Sequence, residues 1–341
     1  MVITGDLASF EEFKFEAPLL SKSEKLIVNL EGTVTNNDKK WKDKMVVYNS
    51  ISTIDYMKEN HNLVGVVLAN NHCYDIPKVY KNLFANKNLG ECGTGKLGEK
   101  IRPLVVKEKE ETYVIYAFCW NITGARMAKK SREGTYPIKK ELLLECINNA
   151  RKEYPKAHYI VTFHWGIELE KYPEPMHIEM AHYAIDIGFD LVIGHHPHRI
   201  QPIEEYKNKY IFYSIGNFYI QPNYYFNGKL SYPSCANKGL MVCIDGKQVN
   251  CIQTVSENGY VSTEKVYTIE EAMSEFGCRE MNSEYYAEWF RKNREKKMLL
   301  PIYNKTESFV SNYVKDTWIK VRGLIIIVLC KLNVKKKRGY K

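Results

Sequence analysis

Three histidines fall within five residues, Gly194-His195-His196-Pro197-His198, directly after the apolar run Leu191-Val192-Ile193. Neutral imidazole is the commonest metal ligand in proteins. His196 and His198 stand two apart, and the proline between them has a fixed φ. The chain holds only nine histidines, so three in five residues is a density that chance surface turns rarely reach. The pattern predicts a site at the end of a short buried strand.

Other apolar runs also end in residues able to hold a metal or move a proton. Val2-Ile3-Thr4 leads into Gly5-Asp6, and Leu26-Ile27-Val28 into Asn29-Leu30-Glu31. Residues 63–69 lead into Asn70-Asn71-His72, with Asp75 close behind. Residues 159–163 lead into His164-Trp165-Gly166, and 210–215 into Gly216-Asn217-Phe218. In α/β folds the carboxyl ends of strands gather along one edge, where ligands bind. Carboxylate and imidazole without thiolate suit divalent Mn, Zn or Fe, one ion or two bridged by a carboxylate. Each piece alone is a common turn; the shared position at strand ends carries the reading.

The elements that must position these residues alternate strand-like runs with helical segments up to about residue 255, which predicts an α/β domain over 1–255. Helices are expected at 53–60, 78–87, 139–153 and 176–187. Helical spacing in the last of these places His177 and His182 at the surface or at a cap. Charged helical segments at 270–276 and 283–297 predict an extension over 256–312. A basic, apolar tail follows over 313–341.

Composition narrows the partners. The net charge is +9, yet residues 313–341 hold nine Lys and Arg against the single acid Asp316. The remaining chain is close to neutral, so no nucleic-acid surface is expected. Nine cysteines without a CxxC pair indicate neither a zinc ribbon nor a disulfide framework, and suit a reducing, cytoplasmic setting. The opening residues enter a strand at once, so no cleavable leader is expected. Residues 323–330 are continuously non-polar but too few to cross a bilayer, which takes about 20 residues. They are expected either to anchor at the inner membrane face, helped by the basic end, or to form a terminal core element.

At these same positions the chain resembles the capsule-synthesis CapA family of bacterial poly-γ-glutamate and polysaccharide loci. The matching pieces run in order: Gly5-Asp6, Asn29-Leu30-Glu31-Gly32, Leu68-Ala69-Asn70-Asn71-His72 with Asp75, His164-Trp165-Gly166 with Glu168, Gly194 to His198, and Ser214-Ile215-Gly216-Asn217-Phe218. The family is similar to calcineurin-like metallophosphatases, which implies a four-layer α/β/β/α sandwich. The resemblance implies metal ligation by Asp6, Glu31, Asn71, His164, His196 and His198. It implies catalysis by His72, or by His195 near the substrate, as proton donor, with the register of His195 and His196 open. Glu168 is either a general base or a brace for a ligand histidine, and Asn217 and Asn70 are candidates for substrate contact. Phosphatases of this type open with Asp-x-His; here Leu7 and Ala8 follow Asp6, so one imidazole of a dinuclear set is missing.

The expected activity is metal-dependent hydrolysis or transfer at a phosphoester, amide or ester of a surface polymer or its precursor. The competing expectation is a non-catalytic, membrane-associated component of a polymer synthesis or export assembly that binds polymer or a partner.

Overall fold

The apolar runs pair side by side in two sheets. The computed structural model describes residues 1–21, 23–37, 41, 44–76, 83–295, 300–304 and 309–331. In the first sheet Val2–Ala8 lies parallel to Leu26–Leu30, which is followed by Leu63–Val67 and Gly90–Cys92. On its other side run the antiparallel strands Lys238–Asp245, Gln248–Glu257 and Tyr260–Thr268. The second sheet is parallel through Glu111–Cys119, His158–His164, Leu191–His195 and Lys209–Phe212, with antiparallel edges at Leu104–Glu108 and Ile203–Tyr206.

The two sheets stack through a buried layer that includes Ile3, Ile27 and Val67 from one and Ile115, Ile160 and Ile193 from the other. Helices cover the outer faces. Lys140–Glu153 buries Leu143, Cys146, Ile147 and Ala150, a stripe at helical spacing that packs on the second sheet beside Pro175–Ile187. Ile51–His61 covers the first sheet with Ile54 and Met57; Ser50 caps its start and Asn62, in the left-handed region, its end. The result is the α/β/β/α sandwich expected from the sequence.

Two features depart from the sequence-based reading. The boundary at 255 falls inside the strand Gln248–Glu257, because this strand and Tyr260–Thr268 complete the first sheet. The following helix Ile269–Phe276 sets Ile269 and Ala272 into the layer between the sheets, and Tyr286–Asn293 sets Tyr286 and Phe290 into the outer core of the second. His177 also departs: it is buried, between Trp120 and Trp165 at ring-centroid distances of 4.7 and 4.8 Å. These two indoles close over a face of the helix that its own periodicity leaves to solvent. Of the helix expected at 78–87, Leu83–Asn86 is helical, and 78–82 lie outside the described residues, as does the basic run 335–338.

Two glycines let the sheets meet where the site forms. A Cβ on Gly5 would stand 2.1 Å from the Gly216 carbonyl oxygen, and one on Gly194 would stand 1.9 Å from that of Tyr213. Only glycine permits the segment 213–216 to cross so closely from the second sheet to the first.

Candidate metal centre

The crossing segment delivers Asn217 to the start of the strand Asn217–Ile220, paired in parallel with Val2–Ala8. Register then places Asp6 between Asn217 on one side and Asn29 on the other. In the second sheet the same logic sets His164 beside His195. Both sheets therefore present polar residues at one seam, as the strand-end pattern predicts.

Asp6 is fully buried at this seam. Its Oδ1 accepts a 2.5 Å hydrogen bond from Asn29 Nδ2, and its Oδ2 accepts from the His196 backbone N–H at 3.2 Å. His195 Nδ1 and His198 Nδ1 approach the two oxygens at 3.4 and 3.3 Å. Burial raises the Asp6 carboxyl, but these two histidines outweigh it and hold the group well below the usual carboxylate range. Glu31 is also buried; its Oε1 lies 3.8 Å from His198 Nε2 and 3.9 Å from His72 Nε2, while Oε2 has no hydrogen-bond partner. Burial shifts the Glu31 carboxyl upward, and the facing His198 cation offsets part of that. Burial lowers His198 in turn, but the Glu31 and Asp6 carboxylates more than reverse it.

One donor atom each from Asp6, Glu31 and His198 lies within 4.8 Å of the others. His164 and His196 flank this trio with ring centroids 4.8 Å apart. Burial drives both rings toward the neutral form, His196 down to about 3 and His164 well below its ordinary value, so their lone pairs are available. His164 Nε2 is 2.7 Å from Asn71 Oδ1, which joins Asn71 to the group. Nδ1 of His164, Nδ1 of His196 and Nε2 of His195 are buried without a hydrogen-bond partner. Such orphaned nitrogens and oxygens are costly in a sealed interior unless something accepts them. A mixed N/O set of this kind fits a divalent metal.

The backbone shows the same bias. His196 and His198 both have positive φ, 95° and 55°. Side chains rarely tolerate this region, and each such residue costs on the order of 1–3 kcal/mol. Strain at two histidines of one cluster is a mark of a site rather than of a plain turn.

The remaining predicted residues take distinct places. His72, with a fifth of its side chain exposed, lines a small cleft with Glu31, Glu168, Phe226, Leu230 and Tyr232. Its Nδ1 sits 2.6 Å from Asp75 Oδ2; burial lowers the ring, but Asp75 together with the Glu31 and Glu168 carboxylates outweighs burial and the net shift is upward. His195 is buried against Asp6 and does not line that cleft. Asn70 is 1% exposed: its Oδ1 accepts from the Gly32 and His72 backbone N–H groups, and its Nδ2 donates to the Leu30 carbonyl. It ties the Glu31 turn to the His72 turn. Asn217 Oδ1 is 2.9 Å from His198 Nδ1, and its Nδ2 donates to the Ala236 carbonyl. Two neighbours had no role in the sequence reading: Asn29, named there only as part of the run to Glu31, and Tyr232, whose ring lies 4.7 Å from that of His198. The first had a visible signal; the second, from a loop far along the chain, had none.

The chain is similar in sequence to known bacterial proteins. The family model described as bacterial capsule synthesis protein PGA_cap matches residues 9–222, a span that includes Glu31, Asn71, His72, His164, Glu168, His195, His196, His198 and Asn217 but not Asp6 or the cleft residues Phe226, Leu230 and Tyr232. The PGA biosynthesis protein CapA of Bacillus subtilis (strain 168) is 28% identical over 213 residues, 60% of this chain and 56% of its own. The capsule biosynthesis protein CapA of Bacillus anthracis is 30% identical over 217 residues, 60% of this chain and 53% of its own. The match thus spans about half the length of these curated relatives. A crystal structure of a hypothetical protein from Thermus thermophilus aligns with a TM-score of 0.41 at 13% identity, over 78% of this chain and 96% of that one. Matched by the family model over well more than half of its length, the chain belongs to the bacterial capsule synthesis protein PGA_cap family.

Proposed function

We propose that this protein is a metal-dependent hydrolase or transferase acting on a phosphoester, amide or ester bond of a surface polymer or its precursor. The observation that carries the reading is the buried convergence of Asp6, Glu31 and His198, flanked by neutral imidazoles with unpartnered nitrogens. Asp6, Glu31, His198, His164 and His196 would hold the ion, with Asn71 beside His164. Such an ion supplies Lewis-acid charge and makes water acidic near neutral pH.

The chain's own groups do the rest. His72 faces the cleft, and Asp75 raises its proton affinity, so it can carry a proton at neutral pH and hand it to a leaving group. Glu168 lines the same cleft and would accept one in this reading. Asn217 holds the His198 ring by Nδ1, His195 supports Asp6, and Asn70 positions the turns that carry Glu31 and His72. These three are positioning residues in this reading. A second reading, a polymer-binding component without turnover, draws on Ala8 standing where an imidazole ligand is expected and on Tyr232 packing over His198.

Elemental analysis of purified His164→Ala and His196→Ala tests the ligand set: both should lose metal, and retention of the wild-type content by both would overturn it. His72→Ala should keep the metal and lose turnover of phosphoester, peptide and acylated-glycan substrates with Mn or Zn. If the wild type turns over none of these, the binding reading stands.

A further inference from the structure

The last described element is the helix Phe309–Lys331, and its faces are reversed. Near its start the side toward the body is polar: Asp316 accepts hydrogen bonds from Asn121 Nδ2 and the Tyr303 hydroxyl, both at 3.0 Å, and Lys315 donates to the Ile302 carbonyl. Ile319 adds one apolar contact to the outer core of the second sheet. The opposite side carries Val314, Val321, Leu324, Ile325 and Val328, each between 42% and 64% exposed. A helix on a globular body normally buries its apolar face and wets its polar one. At about 1.5 Å per residue, the exposed strip from 314 to 328 runs about 21 Å along the helix.

We propose that this strip is a docking surface for a bilayer that contains anionic lipid, on which the helix lies flat. At about 100° per residue, Lys320 and Arg322 fall on either side of the strip, where long cationic side chains can reach lipid headgroups while the apolar residues enter the acyl boundary. The sequence then continues into Lys335-Lys336-Lys337-Arg338, so the whole segment 313–341 carries nine Lys and Arg against Asp316 alone. That charge complements an anionic surface. Against a second copy of the helix it would instead bring like charges side by side. No described helix is long and apolar enough to cross a membrane, which agrees with a helix that lies on it. The inference is independent of the metal-centre reading, since none of these residues belongs to that centre.

The test is flotation of the full chain with phosphatidylcholine vesicles, with and without phosphatidylglycerol, for the wild type and the double variant V321E/I325E. Wild type should float with the anionic vesicles and not with the neutral ones. The variant should lose at least about tenfold in bound fraction, with circular dichroism and metal content unchanged. Failure of the wild type to bind anionic vesicles overturns the proposal, as does equal binding to neutral vesicles or by the variant. Sizing that finds a wild-type dimer, made monomeric by the variant, with no vesicle binding would assign the strip to a second copy instead.

Discussion

Replacing Asn217 by alanine removes the acceptor that holds His198 through Nδ1 at 2.9 Å. With that hydrogen bond in place, Nδ1 carries the proton and Nε2 faces Glu31 Oε1 across 3.8 Å, the gap a shared ion would occupy. Losing a partner of this kind typically costs about 10- to 100-fold in metal affinity, or roughly 1.4–2.8 kcal/mol. Asp6 Oδ2 stands 3.3 Å from the same nitrogen and can take over part of the hydrogen bond, so the lower end, about tenfold, is expected. Asn217→Asp keeps an acceptor and should retain affinity better than alanine. The assay is competition with a chromophoric chelator for Mn²⁺ or Zn²⁺ at neutral pH. Thermal unfolding of the metal-free variants separates out the lost contact to Ala236. Alanine affinity within about twofold of wild type, with the substrate KM raised, would refute the positioning role and return Asn217 to the substrate.

Three further outcomes follow from the geometry. His177 is neutral between two indoles, its pKa lowered by burial to about 3 against about 6.5 when unfolded, so the unfolded chain binds the extra proton and stability falls as pH drops below 6.5. At about pH 5 the loss is about 2 kcal/mol from this residue, and His177→Phe should remove that share of the acid slope in urea titrations; an unchanged slope refutes it. Gly5→Ala sets a Cβ against the Gly216 carbonyl and should destabilise by about 1–3 kcal/mol while lowering metal content; wild-type values for both would show that the crossing can shift freely. Asp75→Asn removes the charge that raises His72, so the loss of activity at high pH should begin at lower pH than in wild type. An alkaline limb that stays in place would mean that another group is the acid.

Much of this molecule could be read from residue order because its chemistry follows its strands. A parallel sheet buried on both faces writes itself as unbroken apolar runs, and the run ends are where Asp6, Glu31, His72, His164 and His195 stand. The helix 140–153 was equally legible from its spacing. His177 was not: helical periodicity ranks faces within a helix, and cannot foresee that two tryptophans from separate loops will close over the polar one. Asn70 and Asn217 illustrate the same gap. Their types and positions mark a site, but which groups their amides meet depends on how neighbouring turns stack.

The sequence by itself determined the polar residue types of the candidate site, their order and their placement at strand ends, since a period of two or of about 3.6 is local and needs no partner. It also determined that positive charge gathers at the C-terminal end. Only the tertiary structure decided that two sheets meet at Gly5 and Gly194, that Asp6 lies among three histidines from the other sheet, and that the last helix turns its apolar side outward. Those outcomes rest on register, close backbone approach and burial between segments far apart in the chain, and no local pattern encodes them.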